Sequence, residues 1–594
     1  MHQRPVYRPG LRRRLGNAVN VASALTRSGL INPIRPVRFT RQFAVLHAWG
    51  TTLAGEFTSA AARDPHRPAL IDDRADYTYA EVGERTTRLA AGMRLDSPRP
   101  RIAVLCRNHH GMVETLIAGS KRGADIVLLN TAYGAGQLRD VLTELRVDQF
   151  VADVEFADVV HQAPRSAKRV VVWADAPGGT GPELEEIIAD TEPRRLRPPR
   201  IQGRTIMLTS GTTERPKGAR RRPRPGLRPL ASMLSRIPLR AHDTMVIDAP
   251  IFHTWGFAAM QMGFAMRGTL VLHRRFDAEQ TLRAISQHRD VDLFAAPVMV
   301  QRMMELPPRT LAGYDTSSLR VVAVSGSALP GDLATRFMDR FGDRLYNVYG
   351  STEASWVSIA APRDLRAHPG TAGRPPRGTK IAILDDEGHP VNPGVRGQIY
   401  AANELMFEGY TSGAPSDLRD GMLGTGDLGH VDRGGLLYVD GRVDDLVVSG
   451  GENVFPREVE DALARMPDVL EVAVIGVPDD EYGQRLAAYI VPRRGVRMDA
   501  EQVRRHVRER VARYAVPRDV HFIDELPRNA TGKVVGRWLT QARPAAGAAG
   551  TDATDATGAT GANDVAATGG AASGGAGGRP GADAARLPEG QVTF

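Results

Sequence analysis

The chain has 594 residues, which predicts more than one domain, and its 42% hydrophobic and 24% charged residues are typical of a soluble globular protein. A single cysteine, Cys106, excludes an internal disulfide and favours a reducing compartment, so a cytoplasmic location is predicted. The net charge of +9 is not accompanied by any nucleic-acid-binding signature, so nucleic acid is not an expected partner.

Residues 1–45 form a basic segment that is rich in arginine and proline. Apolar residues recur there at helical spacing, from Leu11 to Leu25. Two interpretations remain open: a basic amphipathic helix that lies on the inner face of the membrane, or a helix packed against the body of the protein. Asn17 and Asn20 interrupt the apolar stretch, which argues against a signal peptide.

Residues 46–443 alternate short β-rich runs with helical stretches, which predicts an α/β domain whose parallel sheets are covered on both faces. The predicted strands are 102–106, 126–129, 150–151, 170–173, 245–247, 269–272, 292–294 and 320–324. The predicted helices include 111–122, 277–288 and 332–341. In such sheets, ligands bind at the carboxyl ends of the strands.

A loop rich in hydroxyl groups follows one predicted strand, which ends at Leu208. It contains Thr209, Ser210, Gly211, Thr212, Thr213, Glu214, Arg215, Pro216 and Lys217. Its hydroxyl and backbone N–H groups, together with one lysine, suit the oxygens of a polyphosphate. It is not a Walker A loop, because Pro216 and Gly218 flank the lysine. The alternative is an ordinary surface loop.

Beyond a boundary near residue 444, the pattern changes to a compact α+β unit over residues 444–541. We predict strands at 446–448, 469–477, 486–491 and 520–523, and helices at 456–466 and 499–514. Residues 542–594 are nearly all Ala, Gly, Thr and Asp, so they are predicted to be a disordered tail that lacks the apolar surface needed for folding.

Several short motifs occur in a characteristic order along the chain. They are the loop at 209–218, PIFHTWG at 250–256, SGSA at 325–328, YGSTE at 349–353, TGD at 425–427, GR at 441–442, GGENV at 450–454 and NATGK at 529–533. With these motifs the chain resembles the acyl-CoA synthetases of the adenylate-forming superfamily over roughly residues 46–541. The basic lead-in and the segment 235–240 are most similar to those of actinobacterial fatty-acid ligases.

The resemblance implies a large multi-sheet α/β domain followed by a small, mobile α+β domain. It also implies two half-reactions. A carboxylate first attacks the α-phosphorus of ATP with Mg²⁺, giving acyl-AMP and pyrophosphate, and the thiol of CoA then displaces AMP. The expected acid is a medium- to long-chain fatty acid. Alternatives are a ligase that delivers acyl-AMP to a separate carrier protein and a nucleotide-binding relative with impaired catalysis.

The resemblance also implies roles for individual residues. The loop residues Thr209, Ser210, Gly211, Thr212, Thr213 and Lys217 would hold the phosphates. Thr352 would bind the α-phosphate, Glu353 and Thr209 would hold Mg²⁺, and Lys533 would bridge carboxylate and phosphate. The adenine would contact Gly326, Ser327, Ala328, Tyr349 and Gly350, whereas Asp427 and Arg442 would bind the ribose.

The remaining implied roles concern the acid and CoA. His253 would border the acid pocket, where amino-acid-activating relatives carry an aspartate, so the resemblance implies an acid without an α-amino group. Gly450 and Gly451 would line the route of the CoA arm, and Asp444 would be the hinge of the small domain. Taken singly, Asp427, Glu353 and Lys533 also have ordinary structural explanations as turn, helix-start and loop residues.

Overall fold

The computed structural model describes residues 21–31, 36–161, 167–173, 183–209, 217–223, 226–449, 452–479, 483–529 and 532–540. Over these residues the strands form four sheets, of which three belong to the large domain and one to the small domain. The predicted α/β fold class, with a second, smaller α+β unit, is confirmed.

The largest sheet has eight strands and carries much of the active-site machinery. In spatial order they are Ser355–Ala360, Leu345–Ser351, Leu319–Val324, Val291–Ala295, Thr244–Ile247, Thr269–Leu272, Pro68–Ile71 and Asp76–Thr78. Neighbouring strands are parallel except for the antiparallel pair at each edge. The inner strands are buried on both faces, which is why they read as continuous apolar runs in the sequence.

The second sheet has seven strands and carries the phosphate-type loop. In spatial order they are Gly409–Tyr410, Lys217–Arg221, Thr205–Thr209, Asp125–Leu128, Arg101–Leu105, Gln149–Ala152 and Lys168–Val171. Thr205–Thr209 pairs in antiparallel fashion with Lys217–Arg221, and the pair Thr209–Lys217 closes the base of the loop. Both flanks of the loop are therefore anchored in the sheet.

Helices cover the eight-stranded and the seven-stranded sheet of the large domain. They are Pro36–Trp49, Leu53–Arg63, Tyr79–Gly92, His110–Lys121, Ala135–Glu144, Ala157–Val160, Leu184–Asp190, Arg228–Leu234, Thr254–Ala265, Ala278–Gln287, Pro297–Met304, Pro308–Ala312, Gly331–Phe341 and Pro362–Ala367, with a 3₁₀ turn at Val154–Phe156. Thr254–Ala265 is apolar on most sides, and it packs in one core cluster with residues of both sheets. His253 directly precedes this buried helix in the chain.

The third sheet was not predicted. Its strands, Lys380–Leu384, Gly397–Ala402, Leu418–Arg419, Met422–Val431 and Leu437–Arg442, pair in antiparallel fashion. The expected alternation of strands and helices through residue 443 is therefore wrong over this stretch. Turns with glycine at positive φ join the strands here, for example at Gly421 and Gly435, and a tight turn replaces a crossover helix.

The small domain matches its predicted elements closely. Its strands are Val447–Ser449, Glu452–Val454, Val469–Asp479, Gly483–Pro492 and Asp519–Phe522, and its helices are Pro456–Leu463, Ala500–Arg508 and Gly536–Leu539. The helix predicted for 499–514 is shorter and gives way to a 3₁₀ turn at Arg513–Ala515, while a second 3₁₀ turn, Val443–Asp445, joins the two domains. Strand Glu452–Val454 was missed.

The N-terminal segment is described only from residue 21. Leu25 and Leu30 are buried in the main core cluster, and the carbonyl oxygen of Leu30 accepts a hydrogen bond from the guanidinium of Arg267. The packed interpretation therefore holds for residues 21–31, while the arginine cluster at 12–14 and the predicted tail at 542–594 lie outside the described residues. Throughout the described part of the chain, no helix combines the length and hydropathy needed to cross a lipid bilayer.

Candidate active site

Thr352 and Glu353 lie in the tight connection between two strands at the edge of the eight-stranded sheet. The hydroxyl of Ser351 accepts hydrogen bonds from the backbone N–H groups of Glu353 and Ala354, at 3.2 and 3.0 Å. Ser355 closes the turn with φ of +62°, a conformation that few residues other than glycine adopt. The turn thus presents both side chains from a fixed backbone.

Arg221, a residue that sequence reasoning missed, holds this turn from the neighbouring sheet. Its guanidinium donates two hydrogen bonds to the carbonyl oxygen of Thr352 and one, of 2.7 Å, to the hydroxyl of Ser355. Burial lowers the pKa of Arg221 to about 10, and the negative charge of Glu353 opposes this shift. The arginine stays charged at neutral pH, and it links the strand that follows the phosphate-type loop to the turn carrying Thr352.

Replacement of this arginine by alanine is expected to lower kcat by about 10- to 100-fold, because the charge-assisted hydrogen bonds to the turn are lost. Arg222→Ala is the matched control, since Arg222 lies beside it but pairs with Glu408 at 3.1 Å. Steady-state kinetics and thermal melting of both variants check this expectation. An Arg221→Ala variant with the kcat of the control would contradict the positioning role.

Glu353 is half-buried, and among the described residues only its Oε1 has a side-chain hydrogen-bond partner. Its Oε1 accepts a hydrogen bond of 3.0 Å from the hydroxyl of Tyr410. The pKa of Tyr410 is raised, mainly by burial and to a smaller extent by the negative charge of Glu353. The ammonium of Lys217 lies 5.7 Å from the ring centroid of Tyr410. A carboxylate beside hydroxyl oxygens is a donor set that suits Mg²⁺, so Glu353 fits the proposed metal.

Thr352 faces a second hydroxyl residue that the sequence did not single out. The hydroxyl of Thr254 lies 3.1 Å from that of Thr352 and 3.0 Å from the sulfur of Met207. Thr254 is the first residue of the buried helix after His253. The start of this helix therefore lies next to the Thr352 turn.

Asp427 and Arg442 face each other on adjacent strands of the antiparallel sheet, where they are register partners. The guanidinium of Arg442 donates a 3.2 Å hydrogen bond to Oδ1 of Asp427. The hydroxyl of Tyr349 donates a 2.5 Å hydrogen bond to Oδ2, the other carboxylate oxygen. Burial raises the pKa of Asp427, while Tyr349, Arg442 and Lys533 oppose the rise. The structure thus brings the predicted adenine and ribose residues together.

The other predicted adenine residues lie beside Tyr349. Gly326 has φ of +99° and open space where a side chain would project, and both Gly326 and Ala328 are exposed. The hydroxyl of the preceding Ser325 donates to the carbonyl oxygen of Val348, at 2.7 Å, which ties this loop to the strand of Tyr349 and Gly350. Ser327 lies in the same loop and is half-buried.

Lys533 is carried by the small domain. Its positive charge is one of the influences that oppose the rise in the pKa of Asp427, so the lysine lies close enough to the large domain to act on this carboxylate. Two hydrogen bonds join Asn529 and Lys533. The backbone N–H of Asn529 donates to the carbonyl oxygen of Lys533, and the backbone N–H of Lys533 donates to the side-chain oxygen of Asn529. Gly532 has φ of +79°, and a Cβ there would lie 2.4 Å from Val298 of the large domain, so only glycine permits this approach.

His253 is the residue just before the buried helix. Burial lowers the pKa of its imidazole to about 4, so the ring is neutral at physiological pH. Its ring centroid is 4.8 Å from that of Phe252, and its buried Nε2 has no hydrogen-bond partner among the described residues. Such a nitrogen suits a polar group of a ligand.

Some predicted residues cannot be placed. Ser210, Gly211, Thr212, Thr213, Gly450 and Gly451 lie outside the described residues, and for Thr209 only the backbone pairing is described. The described flanks of this loop are the paired strands Thr205–Thr209 and Lys217–Arg221, and Arg221 at the far end of the second strand contacts the turn that carries Thr352.

A cavity of about 170 Å³ opens beside Thr254. Apolar side chains form most of its wall, among them Leu53, Ile126, Met207, Leu230, Phe257, Met262 and Trp356. Its polar lining includes Glu56, Arg221 and Gln261. The cavity runs alongside the buried helix, next to the group of Thr352 and Arg221, and it is suited to the apolar body of a small ligand.

Comparisons with known proteins agree with this geometry. Residues 57–411 match the family model described as AMP-binding enzyme, and residues 458–533 match the AMP-binding enzyme C-terminal domain. The chain is 35% identical over 483 residues to a feruloyl-CoA synthase from Amycolatopsis sp, covering 80% of this chain and 96% of the relative. It is 33% identical over 491 residues to indoleacetate–CoA ligase from Aromatoleum aromaticum, and this match covers 80% of this chain and 94% of the relative.

A solved structure of similar fold is o-succinylbenzoate CoA synthetase from Bacillus subtilis in complex with its acyl-adenylate intermediate. It is 27% identical, its TM-score is 0.71, and the match covers 82% of this chain and 98% of that one. The adenylate-forming fold and the use of ATP, Mg²⁺ and CoA are confirmed at the level of this family. Because the two family models together match the large and the small domain, the chain belongs to the AMP-binding enzymes, as an AMP-forming acid–thiol ligase.

Proposed function

We propose that this enzyme joins CoA to a compact, apolar carboxylic acid without an α-amino group, through an acyl-AMP intermediate. The observation that supports it best is the convergence of Thr352, Glu353 and the Asp427–Arg442 pair beside an apolar cavity. The influence of the Lys533 charge on Asp427 supports a role for this lysine of the small domain in the same reaction.

In the first half-reaction, the carboxylate and the α-phosphate of ATP repel each other as they approach. The ammonium of Lys533 would offset this repulsion, and the hydroxyl of Thr352 would donate to an α-phosphate oxygen, so that catalysis consists mainly of positioning and charge stabilisation. Bound Mg²⁺ would neutralise phosphate charge, with Glu353 as its protein ligand. The carboxylate of Asp427 would accept hydrogen bonds from the ribose hydroxyls.

In the second half-reaction, the sulfur of CoA attacks the acyl carbonyl carbon and AMP leaves with the bonding electron pair. We propose that the small domain turns about Asp444 between the two steps. In this structure, the carboxylate of Asp444 lies 3.7 Å from the guanidinium of Arg442. A change of domain orientation would break this weak contact at small cost, because both groups are largely exposed.

The size of the cavity supports a compact acid over the long-chain fatty acid expected from the sequence. A volume of about 170 Å³ is below the range of roughly 300–1,000 Å³ that drug-sized ligands occupy. The relatives reported above are named for feruloyl and indoleacetate groups, which are both aromatic. An arylalkanoic or arylpropenoic acid is therefore the favoured substrate class.

Pyrophosphate release across a panel of acids tests the proposal. The panel contains aryl acids, saturated fatty acids of increasing length and α-amino acids, each with and without CoA. We expect turnover with the aryl acids, acyl-CoA formation only when CoA is present, and the lowest kcat/KM for the amino acids. A kcat/KM that rises steadily towards long-chain fatty acids would overturn the compact-acid proposal.

A further inference from the structure

The apolar cavity contains one acidic side chain, Glu56, from the first turn of helix Leu53–Arg63. The residue is half-buried and lines the cavity. The only side-chain hydrogen bond that its carboxyl makes among the described residues comes from the amide of Gln261, at 3.4 Å. That distance is at the long limit of a hydrogen bond, so both side chains keep hydrogen-bonding capacity.

Burial raises the pKa of Glu56 to about 8, and the hydrogen bond from Gln261 opposes this rise. At neutral pH the carboxyl is therefore mostly protonated, and it both donates and accepts a hydrogen bond. A polar pair that is poorly satisfied inside an apolar wall is costly, unless a ligand completes its hydrogen bonds.

Gln261 lies seven residues after Thr254 on the buried helix, and both residues line the cavity. At 1.5 Å per residue, this spacing is about 10 Å along the helix axis. Thr254 contacts the hydroxyl of Thr352, so it marks the end of the cavity nearest the proposed reaction site. The Glu56–Gln261 pair is thus two helical turns away from the place where the carboxylate of the acid reacts.

We propose that Glu56 and Gln261 form a specificity subsite for a hydroxyl or carbonyl group carried by the acid, about 10 Å from its reacting carboxylate. The inference rests on the proposed function and adds the polar substituent to its substrate class. The protonated carboxyl donates to the oxygen of that group, and the amide of Gln261 provides the second contact. An acid without the group leaves the remaining hydrogen-bonding capacity of both side chains unfilled, which is how a hydrogen-bonding site rejects the analogue that lacks the group.

Two matched substrate pairs test the subsite: 3-(4-hydroxyphenyl)propenoic acid against 3-phenylpropenoic acid, and 8-hydroxyoctanoic acid against octanoic acid. The wild type is expected to favour the hydroxylated member of at least one pair by about tenfold or more in kcat/KM, measured by pyrophosphate release. Glu56→Leu should abolish this preference and raise kcat/KM for the unsubstituted acid. Gln261→Met should also reduce this preference, because it removes the amide that provides the second contact with the hydroxyl group.

The control is Glu84→Gln, which removes a carboxylate from an exposed helix surface, where it pairs with Arg88. This variant should keep the wild-type preference. Should Glu56→Leu fail to fold, as thermal melting would reveal, the Gln261→Met ratio decides the question. A preference that persists in the folded variants, or a wild type that favours the unsubstituted acid of both pairs, overturns the subsite. Failure of the wild type with every acid of the wider panel contradicts the proposed function itself.

Discussion

Replacement of Lys533 by alanine is expected to remove nearly all acyl-AMP formation, by about 10²- to 10³-fold, and to leave the transfer of a supplied acyl-AMP to CoA largely intact. The reason is the position of the lysine. Its charge acts on Asp427, the proposed ribose ligand, yet the lysine is carried by the small domain. The first step brings two anions together and needs this cation, whereas the attack of a thiol on acyl-AMP does not.

Two assays separate the steps: ATP–pyrophosphate exchange for the first, and CoA consumption from synthetic acyl-AMP for the second. Lys380→Ala is the control, because Lys380 is an exposed lysine at the start of a strand in another part of the large domain. It should leave both rates within a few-fold of the wild type. Equal losses in both steps for Lys533→Ala would contradict the assigned role.

The second large effect is expected for Asp427→Asn, which should lower kcat/KM for ATP by about 100-fold. An asparagine keeps the shape, but it replaces one acceptor oxygen by a donor and removes the charge opposite Arg442. Under the proposed roles, the variant weakens the contact with the ribose hydroxyls and removes the charged partner that Arg442 has in Asp427. Initial rates at varied ATP concentration measure the change.

A second tyrosine–aspartate pair provides the control for this variant. In the same antiparallel sheet, the hydroxyl of Tyr400 donates to Asp417 at 2.6 Å, and Asp417→Asn should change kcat/KM for ATP by less than Asp427→Asn does. Tyr349→Phe tests whether the tyrosine contact or the ribose contact matters more. If both aspartate variants lose activity equally, the effect reflects the stability of the sheet rather than nucleotide binding.

Much of the fold could be predicted from apolar periodicity. Four inner strands of the eight-stranded sheet are largely buried, and their apolar runs placed them to within one or two residues: Thr244–Ile247, Thr269–Leu272, Val291–Ala295 and Leu319–Val324. Pro68–Ile71 and Leu345–Ser351 are partly exposed and were not predicted. The same approach failed for the antiparallel sheet at 380–442. Strands such as Met422–Val431 contain glycines and polar residues, and their pairing depends on turns between distant segments rather than on a local period.

The site divides in a similar way. Short motifs located Thr352, Asp427 and Lys533, because a resemblance carries over residues that lie in recognisable strings. Arg221 and Glu56 could not be found in this manner. Each contacts its partner across more than a hundred residues of sequence, and neither has a local signal that distinguishes it from an ordinary surface charge.

Strand Lys217–Arg221 has a consequence for how the sequence of this enzyme can vary. It runs from the base of the phosphate-type loop to the Thr352 turn and the acid cavity, a span of about 13 Å at the rise of an extended chain. Under the proposed function, in which the loop holds the phosphates and the cavity holds the acid, the length of this strand fixes the distance between them. A one-residue insertion would turn every following side chain, Arg221 included, to the opposite face of the sheet, so changes of length are expected to be more harmful here than substitutions of side chains without a positioning role.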